Sequence, residues 1–439
     1  MFYWEIRGPA QFFQPPPNIV PFHLDFSPLR NSRDFRLLYL GQTVSTFGSA
    51  ITYVVLPWQM YQITKSPAAV GLLGVAEFLP MFLLAFLGGA LADAMDRRRL
   101  ILFSESGLAI CCGILGWNAA SDEPRAWLLY ALAALMAALS AIHRPAIEAL
   151  TPHYVPLEQM PAVGALHGLR YSSGHILGPS LAGVLVAGLG PVTAYMIDML
   201  TYVAAVVTLV RIRSVPVPPD AEQPSFARIV EGLRYARSRQ ELLGTYLIDI
   251  NAMFFGMPNA LFPAIAERFG PGTVGLLYAA PAAGTLILTL LSGWTARVHR
   301  HGLAVTVAAV VWGIGIVGFG LADQLWLALV CLAVAGAADT VSGIFRSTIW
   351  NQTIPDHIRG RMAGIEMVSY LTGPYLGNAE AGLAAAWLGV RTSVVSGGVL
   401  CVLGCGVIAA LLPKFIQYDG REGLARRRAA EDAGPGGTG

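Results

Sequence analysis

The chain has 439 residues, 55% of them hydrophobic and only 13% charged, with a formal net charge of +2 and a mean hydropathy of +0.56. So little charge cannot cover a surface in water, which excludes an ordinary soluble domain and leaves a membrane protein. The only lysines, Lys65 and Lys414, end no glycine-rich run, so there is no P-loop and any energy input is expected from an ion gradient. Cys111, Cys112, Cys331, Cys401 and Cys405 all fall inside apolar runs and read as packing residues, not disulfides or ligands. No metal site, no cofactor and no nucleic-acid partner is expected.

Residues 1–34 read as a mobile N-terminal extension on the cytoplasmic side. They are rich in aromatics and proline, with Pro15, Pro16 and Pro17 in a row, and lack the layout of a signal peptide. Residues 35–211 carry six apolar runs long enough to cross a bilayer as helices. These are about Leu37 to Tyr61, Val70 to Ala92, Ile101 to Ala119, Ala126 to Leu150, Met160 to Gly188 and Val192 to Arg211. Residues 212–240 form a polar linker in which Phe226, Ile229, Val230 and Leu233 share a helical face and Arg228, Arg234, Arg237 and Arg239 decorate the rest. That pattern suits an amphipathic helix lying on the inner membrane surface. Residues 241–413 carry six more spans, about Leu242 to Ala266, Gly272 to Ala296, Leu303 to Leu321, Leu325 to Ile349, Met362 to Ala386 and Thr392 to Leu412. Residues 414–439, ending G-P-G-G-T-G, read as a disordered tail.

Arginine placement sets the orientation. With the N-terminus inside, only Lys65, Arg125, Arg268 and Arg391 fall outside and Arg144, Arg170 and Arg346 lie at membrane depth; the other basic residues are cytoplasmic, as are both termini. The halves echo each other. Gly89-x-x-Ala92-Asp93 has a counterpart in Gly293-x-x-Ala296-Arg297, Arg144 in Arg346, and Gly178-Pro179 in Gly373-Pro374. Six spans, a linker and six more with such echoes are the pattern of parallel-repeat transporters.

The stretch Gly89 to Arg99 reads G-A-L-A-D-A-M-D-R-R-R. Its small residues keep the helix end slim, and Asp93 is placed to accept from the N-terminus of a neighbouring helix. It resembles the loop 2–3 signature of the major facilitator superfamily, with Gly89, Leu91, Ala92, Asp93, Arg97 and Arg98 at matching positions; Asp96 stands where glycine is usual and Ala94 where an arginine is common. Gly174 to Gly183, G-H-I-L-G-P-S-L-A-G, is similar to the helix 5 pattern of that superfamily's antiporters through Gly174, Gly178, Pro179 and Gly183. In physical terms Gly174 and Gly178 make a close-packing groove, and Pro179 removes a backbone bond. R-N-S-R-D-F-R-L-L-Y-L-G-Q, E-G-L-R-Y, V-G-L-L-Y-A-A-P-A-A-G and I-P-D-H-I-R-G-R are similar to the branch that includes enterobactin exporters and macrolide efflux proteins. The resemblance implies an all-α integral membrane fold of 12 helices in two pseudo-symmetric six-helix bundles. It also implies efflux of a medium-sized organic molecule in exchange for protons, by a monomer in the inner membrane of a bacterium.

Ionisable groups inside a bilayer are costly, so each is a functional candidate. Glu77, Asp249 and Asp339 are read as proton carriers, and Asp198, Glu366 and Glu380 as hydrogen-bonding a neighbouring helix. Asp339, Gly343 and Arg346 share one face of helix 10 at i, i+4 and i+7. Arg346, and Arg144 with Glu148 at i+4, are read as gate residues or structural ion-pair members. Arg170 shares a face with His167 and Gly174. Arg170, Met253 and Tyr278 are substrate-cavity candidates, with Trp58, Met60, Tyr61, Phe254 and Phe255 beside them, and packing or lipid anchoring is the alternative. Two other functions stay open: an importer, and a membrane-embedded enzyme, which the eight histidines do not favour because no H-E-x-x-H spacing occurs.

Overall fold

A computed structural model of the chain describes residues 25–214, 234–354 and 359–425; the side chains of 85–94 and of most of 359–371 are outside the described set. Several expectations therefore lie outside the described residues: the extension before residue 25, the apolar face Phe226 to Leu233, the tail beyond 425, and the side chains of Gly89, Asp93 and Glu366.

The described residues contain twelve long helices. They are α1 (Arg33–Thr64), α2 (Pro67–Ala94), α3 (Arg97–Ala120), α4 (Ala126–Leu150), α5 (Met160–Gly188) and α6 (Gly190–Val210), then α7 (Gln240–Phe255, continued by Phe262–Phe269), α8 (Thr273–Leu290), α9 (His301–Leu321), α10 (Leu325–Thr353), α11 (Arg359–Leu388) and α12 (Val390–Leu411). Eight of them are long and apolar enough to cross a membrane: α2, α3, α4, α6, α8, α9, α10 and α12. α1 and α5 fall short because polar side chains run through them, such as Gln42, Ser45, Ser49 and Thr52 in α1 and His167, Arg170 and His175 in α5. Of these, Gln42, Ser45 and Thr52 of α1 are buried, as is Gln59, while Ser49 and the three α5 residues are half-buried.

The internal repeat is realised in the packing. α1 packs on α5 and α6, α2 on α4, and α3 on α4 and α6; α7 packs likewise on α11 and α12, α8 on α10, and α9 on α10 and α12. The sequence echo of Gly178 and Gly373 has a structural meaning within that pattern. A Cβ on Gly178 would lie 2.5 Å from Ala50 Cβ of α1, and one on Gly373 would lie 2.6 Å from Met253 Cβ of α7, the equivalent neighbour. Glycine permits the same close approach twice.

The helices depart from the expected spans in three places. The seventh span is not continuous: it breaks at Gly256–Pro258 and passes through a tight turn at Asn259–Leu261. Pro258 has no N–H and disfavours helix at the residue before it, and the Trp312 indole donates to the Gly256 carbonyl (3.1 Å), satisfying an acceptor that the break leaves free. The eighth span ends at Leu290 and not near Ala296, giving way to a 3₁₀ turn over Ser292–Arg297. There the Ser292 and Thr295 hydroxyls each bond a carbonyl three residues back at 2.7 Å, an alternative to helix continuation. Finally, residues 414–425, which the sequence assigns to a disordered tail, are packed on the bundle. Phe415 is wholly buried against Gly244 and Gly302, and the Tyr418 hydroxyl donates to Gln352 Oε1 at 3.0 Å. A buried aromatic supplies apolar area that the composition of the tail beyond it does not offer.

An even number of crossings puts the start of α1 and the end of α12 on one side, here the terminal side, and the α1–α2, α7–α8 and α11–α12 connections on the other, the distal side.

Candidate functional site

The basic run after α2 works as a helix-end clamp. Asp96 is the N-cap of α3: its carboxylate accepts from the backbone N–H of Arg98 (2.9 Å) and Arg99 (3.3 Å). Three arginines in the first turn of a helix oppose its dipole, and an acidic cap offsets them. The aspartate that replaces the superfamily's usual glycine thus has a structural role. Arg98 reaches across to the end of α6, donating from Nε to the Leu209 carbonyl (2.9 Å) and from Nη2 to that of Val210 (2.6 Å). These are carbonyls that a helix C-terminus leaves unpaired, where a cation is favoured. Arg97 lies 3.2 Å from His153 of the α4–α5 connection. Nearby, Arg213 pairs with Asp34 at 2.6 Å, and the Tyr154 hydroxyl donates to the Arg213 carbonyl, tying the end of α6 to the start of α1. Burial, with the Asp34 carboxylate second, pushes the Tyr154 phenol up to about 12. Arg144 and Glu148 pair at 3.2 Å along α4 and both stand exposed.

The helix 5 pattern serves two interfaces. Gly174 and Gly178 face α1, where a Cβ on Gly174 would lie 2.7 Å from Thr46 Cγ2. Gly183 faces α8, backed onto Gly272 and Gly275, and Gly275 in turn abuts the Pro179 carbonyl. The first contact is inside one half and the second joins the halves on the distal side. Other cross-half contacts are also distal: Gly71 against Asn378 and Gly382, Gly74 against Tyr375, and Lys65 with Glu267 at 2.7 Å.

Charge in the C-terminal half converges on Arg346. Its guanidinium pairs with Asp249 of α7 and lies 3.6 Å from Asp339, two turns earlier on α10; Ser369 of α11 donates to the other Asp249 oxygen at 3.1 Å. Arg346 and Asp249 are each about 5% exposed at the side chain, against 43% for Asp339. Three residues that the sequence divides between proton carriage and gating form one cluster.

The N-terminal half holds a cluster that reading the sequence missed. Glu105, completely buried on α3, accepts from Gln42 Nε2 (2.8 Å) and Ser45 Oγ (3.3 Å), and lies 2.9 Å from His143 Nε2 of α4. The signal was available: a lone carboxylate inside the third span, between Ser104 and Ser106. Asp198 of α6, also fully buried, accepts from Thr52, Thr201 (3.1 Å) and Cys112 (3.3 Å).

Between the halves lies a cavity of about 210 Å³, lined among others by Glu77, Tyr53, Tyr202, Tyr278, Tyr375 and Asn378. Glu77 is thus separated from Asp249 and Asp339, with which the sequence groups it. Of the cavity candidates, Tyr278 lines it, Met253 packs against Gly373 and Gly377 of α11, and Arg170 is half-buried on α5, one turn after Leu166, whose carbonyl accepts from Tyr39 at 3.0 Å.

Residues 24–428 match the family described as transmembrane secretion effector. The chain belongs to that family of the major facilitator superfamily. It is 28% identical over 394 residues to the enterobactin exporter EntS of Salmonella typhi, covering 88% of this chain and 94% of that one. Its fold is similar to the nucleoside transporter NupG (D323A mutant), with TM-score 0.73, 12% identity and coverage of 85% and 99%. It is also similar to a bacterial homologue of the lysosomal transporter Spinster in an inward-facing, occupied conformation, with TM-score 0.69, 17% identity and coverage of 88% and 97%. The protein is therefore a multi-pass membrane transporter with the two-bundle major facilitator fold, and not an enzyme.

Proposed function

We propose that the protein is a proton-coupled exporter of a medium-sized organic compound, working by alternating access as a monomer in the inner membrane of a bacterium, with both termini in the cytoplasm. The enterobactin exporters that it resembles and the helix 5 pattern support export as the direction. The observation that carries the coupling is Arg346 shared between Asp249 and Asp339. A proton on the more exposed Asp339 removes one of two anions competing for the guanidinium and leaves it wholly to Asp249, which sits between α7, α10 and α11. The proton would thus act by redistributing one guanidinium between carboxylates on two helices, which biases how α7 packs against α10.

The contacts between halves support a distal-closed state, with Gly71, Gly74 and Gly183 allowing backbone to meet backbone there. The halves then rock about the cavity, and Asp93 with Arg97–Arg99 steadies the opposite state. The test is accumulation of a catecholate siderophore, a macrolide and a dye in everted vesicles, with and without an imposed proton gradient. Gradient-dependent accumulation of at least one compound is the expected result. Movement that ignores the gradient removes the coupling, and movement only in the opposite direction makes the protein an importer.

A further inference from the structure

Among the described residues Glu77 is the single charged side chain lining the cavity, and its carboxylate has no hydrogen-bond or ion-pair partner there. An isolated carboxylate in a low-dielectric site is costly unless a proton or a ligand's charge offsets it. Aliphatic side chains such as Leu56, Val70, Leu73 and Met136 make much of the cavity wall, and four tyrosines supply its aromatic part. Tyr53, Tyr202, Tyr278 and Tyr375 come from α1, α6, α8 and α11, so both halves contribute phenol rings. The rings are fixed: Tyr53 and Tyr278 meet edge to face at 5.4 Å, Asn259 donates to the Tyr53 hydroxyl (3.2 Å), and the Tyr278 hydroxyl donates to the Asn259 carbonyl (2.9 Å). The Tyr202 hydroxyl is engaged with Ser49 at 2.9 Å. Phenol faces carry negative quadrupole potential and attract cations, most strongly when desolvated.

We infer that this cavity selects substrates carrying one organic cation on an aromatic or apolar body, with Glu77 as the counter-charge and the tyrosines as the walls around the cationic group. The inference rests on the exporter reading and names the chemistry of what is exported. It is specific to this site. At the other buried carboxylates that are described, Arg346 already supplies the positive charge to Asp249 and Asp339, Gln42, Ser45 and His143 engage Glu105, and neutral donors satisfy Asp198, while Glu380 of α11 does not line the cavity. At about 210 Å³ the cavity is smaller than the ~300–1,000 Å³ of drug-sized sites, so it takes the cationic portion of the substrate and not the whole of it.

The test is equilibrium binding to the purified full-length protein in lipid nanodiscs, with phenyltrimethylammonium as the cation and benzenesulfonate as an anion of similar size and shape. Saturable binding of phenyltrimethylammonium, none of benzenesulfonate, and a loss of affinity on the order of tenfold or more in Glu77→Gln are expected, with Glu77→Asp within a few-fold of wild type. Equal binding of the two ions, or unchanged affinity in a Glu77→Gln protein that elutes and melts as wild type does, overturns the proposal. The comparison of the two ions on the wild type decides the matter even if the variant fails to fold. Catecholate export without phenyltrimethylammonium binding sinks the cation site and keeps the exporter; cation binding without gradient-driven movement of any compound does the reverse.

Discussion

The two halves of the molecule share a packing plan and treat buried charge in opposite ways. In the N-terminal half, Glu105 and Asp198 are held chiefly by neutral amide, hydroxyl and thiol donors from α1, α3 and α6, with His143 beside Glu105. These bonds tie α1 to α3, and α1 and α3 to α6, and no cation has to move for them to persist. In the C-terminal half, one guanidinium serves carboxylates on two helices, and one of those carboxylates is substantially exposed. The same repeat has been fitted with a fixed polar lock on one side and a shared, titratable one on the other. On the coupling proposed above, the moving charge belongs to α7 and α10.

The sharpest way to break that comparison is Arg346→Ala. It strands the buried Asp249, and a loss of about 3–5 kcal/mol is expected, read as a large drop in melting temperature in detergent, together with loss of transport. A next test acts on the distal contact, not on charge. Gly183→Leu forces a side chain into the Gly272 and Gly275 backbone. It is expected to abolish transport by preventing distal closure while the protein still inserts and elutes as wild type; full transport would mean that the two helices need not meet. On the N-terminal side, Asp198→Asn keeps the size and the capacity to bond Thr52 and Thr201, so melting is expected to shift by no more than about 1–2 kcal/mol and uphill transport to persist. A loss of coupling there would erase the distinction between the halves. The smallest effect belongs to Glu267→Gln, which removes the exposed Lys65 pair on the distal face; such pairs contribute about 0–1 kcal/mol and are screened by salt. Little change at physiological ionic strength is expected, visible if at all as a salt dependence of transport rate.

How much of this was legible in the sequence depends on the range of the signal. The spans stood out because apolar runs are continuous over 20 or so residues, and α5 begins and ends at the residues the sequence marks, Met160 and Gly188. Asp339 and Arg346 were readable as neighbours because helical spacing alone brings them together. The Arg346–Asp249 pair was not, since it depends on how α7 packs against α10, and no local pattern encodes that. Glu105 was missed although it obeys the same rule that singles out Glu77, and its partners Gln42, Ser45 and His143 are on other helices. The split of Glu77 from Asp249 and Asp339 likewise needs the cavity, which exists only once the halves meet. The break at Pro258, by contrast, lay in plain view, because the proline punctuates an otherwise continuous run.

The account turns on Asp339 exchanging a proton while it competes for Arg346, and the measurement that tests it most directly separates exchange from uphill movement in Asp339→Asn. In everted vesicles, the variant is predicted to support substrate counterflow at near wild-type rates with no gradient, and to lose accumulation driven by an imposed proton gradient. Gradient-driven accumulation equal to wild type in that variant would contradict the account, because the coupling proton would then bind elsewhere.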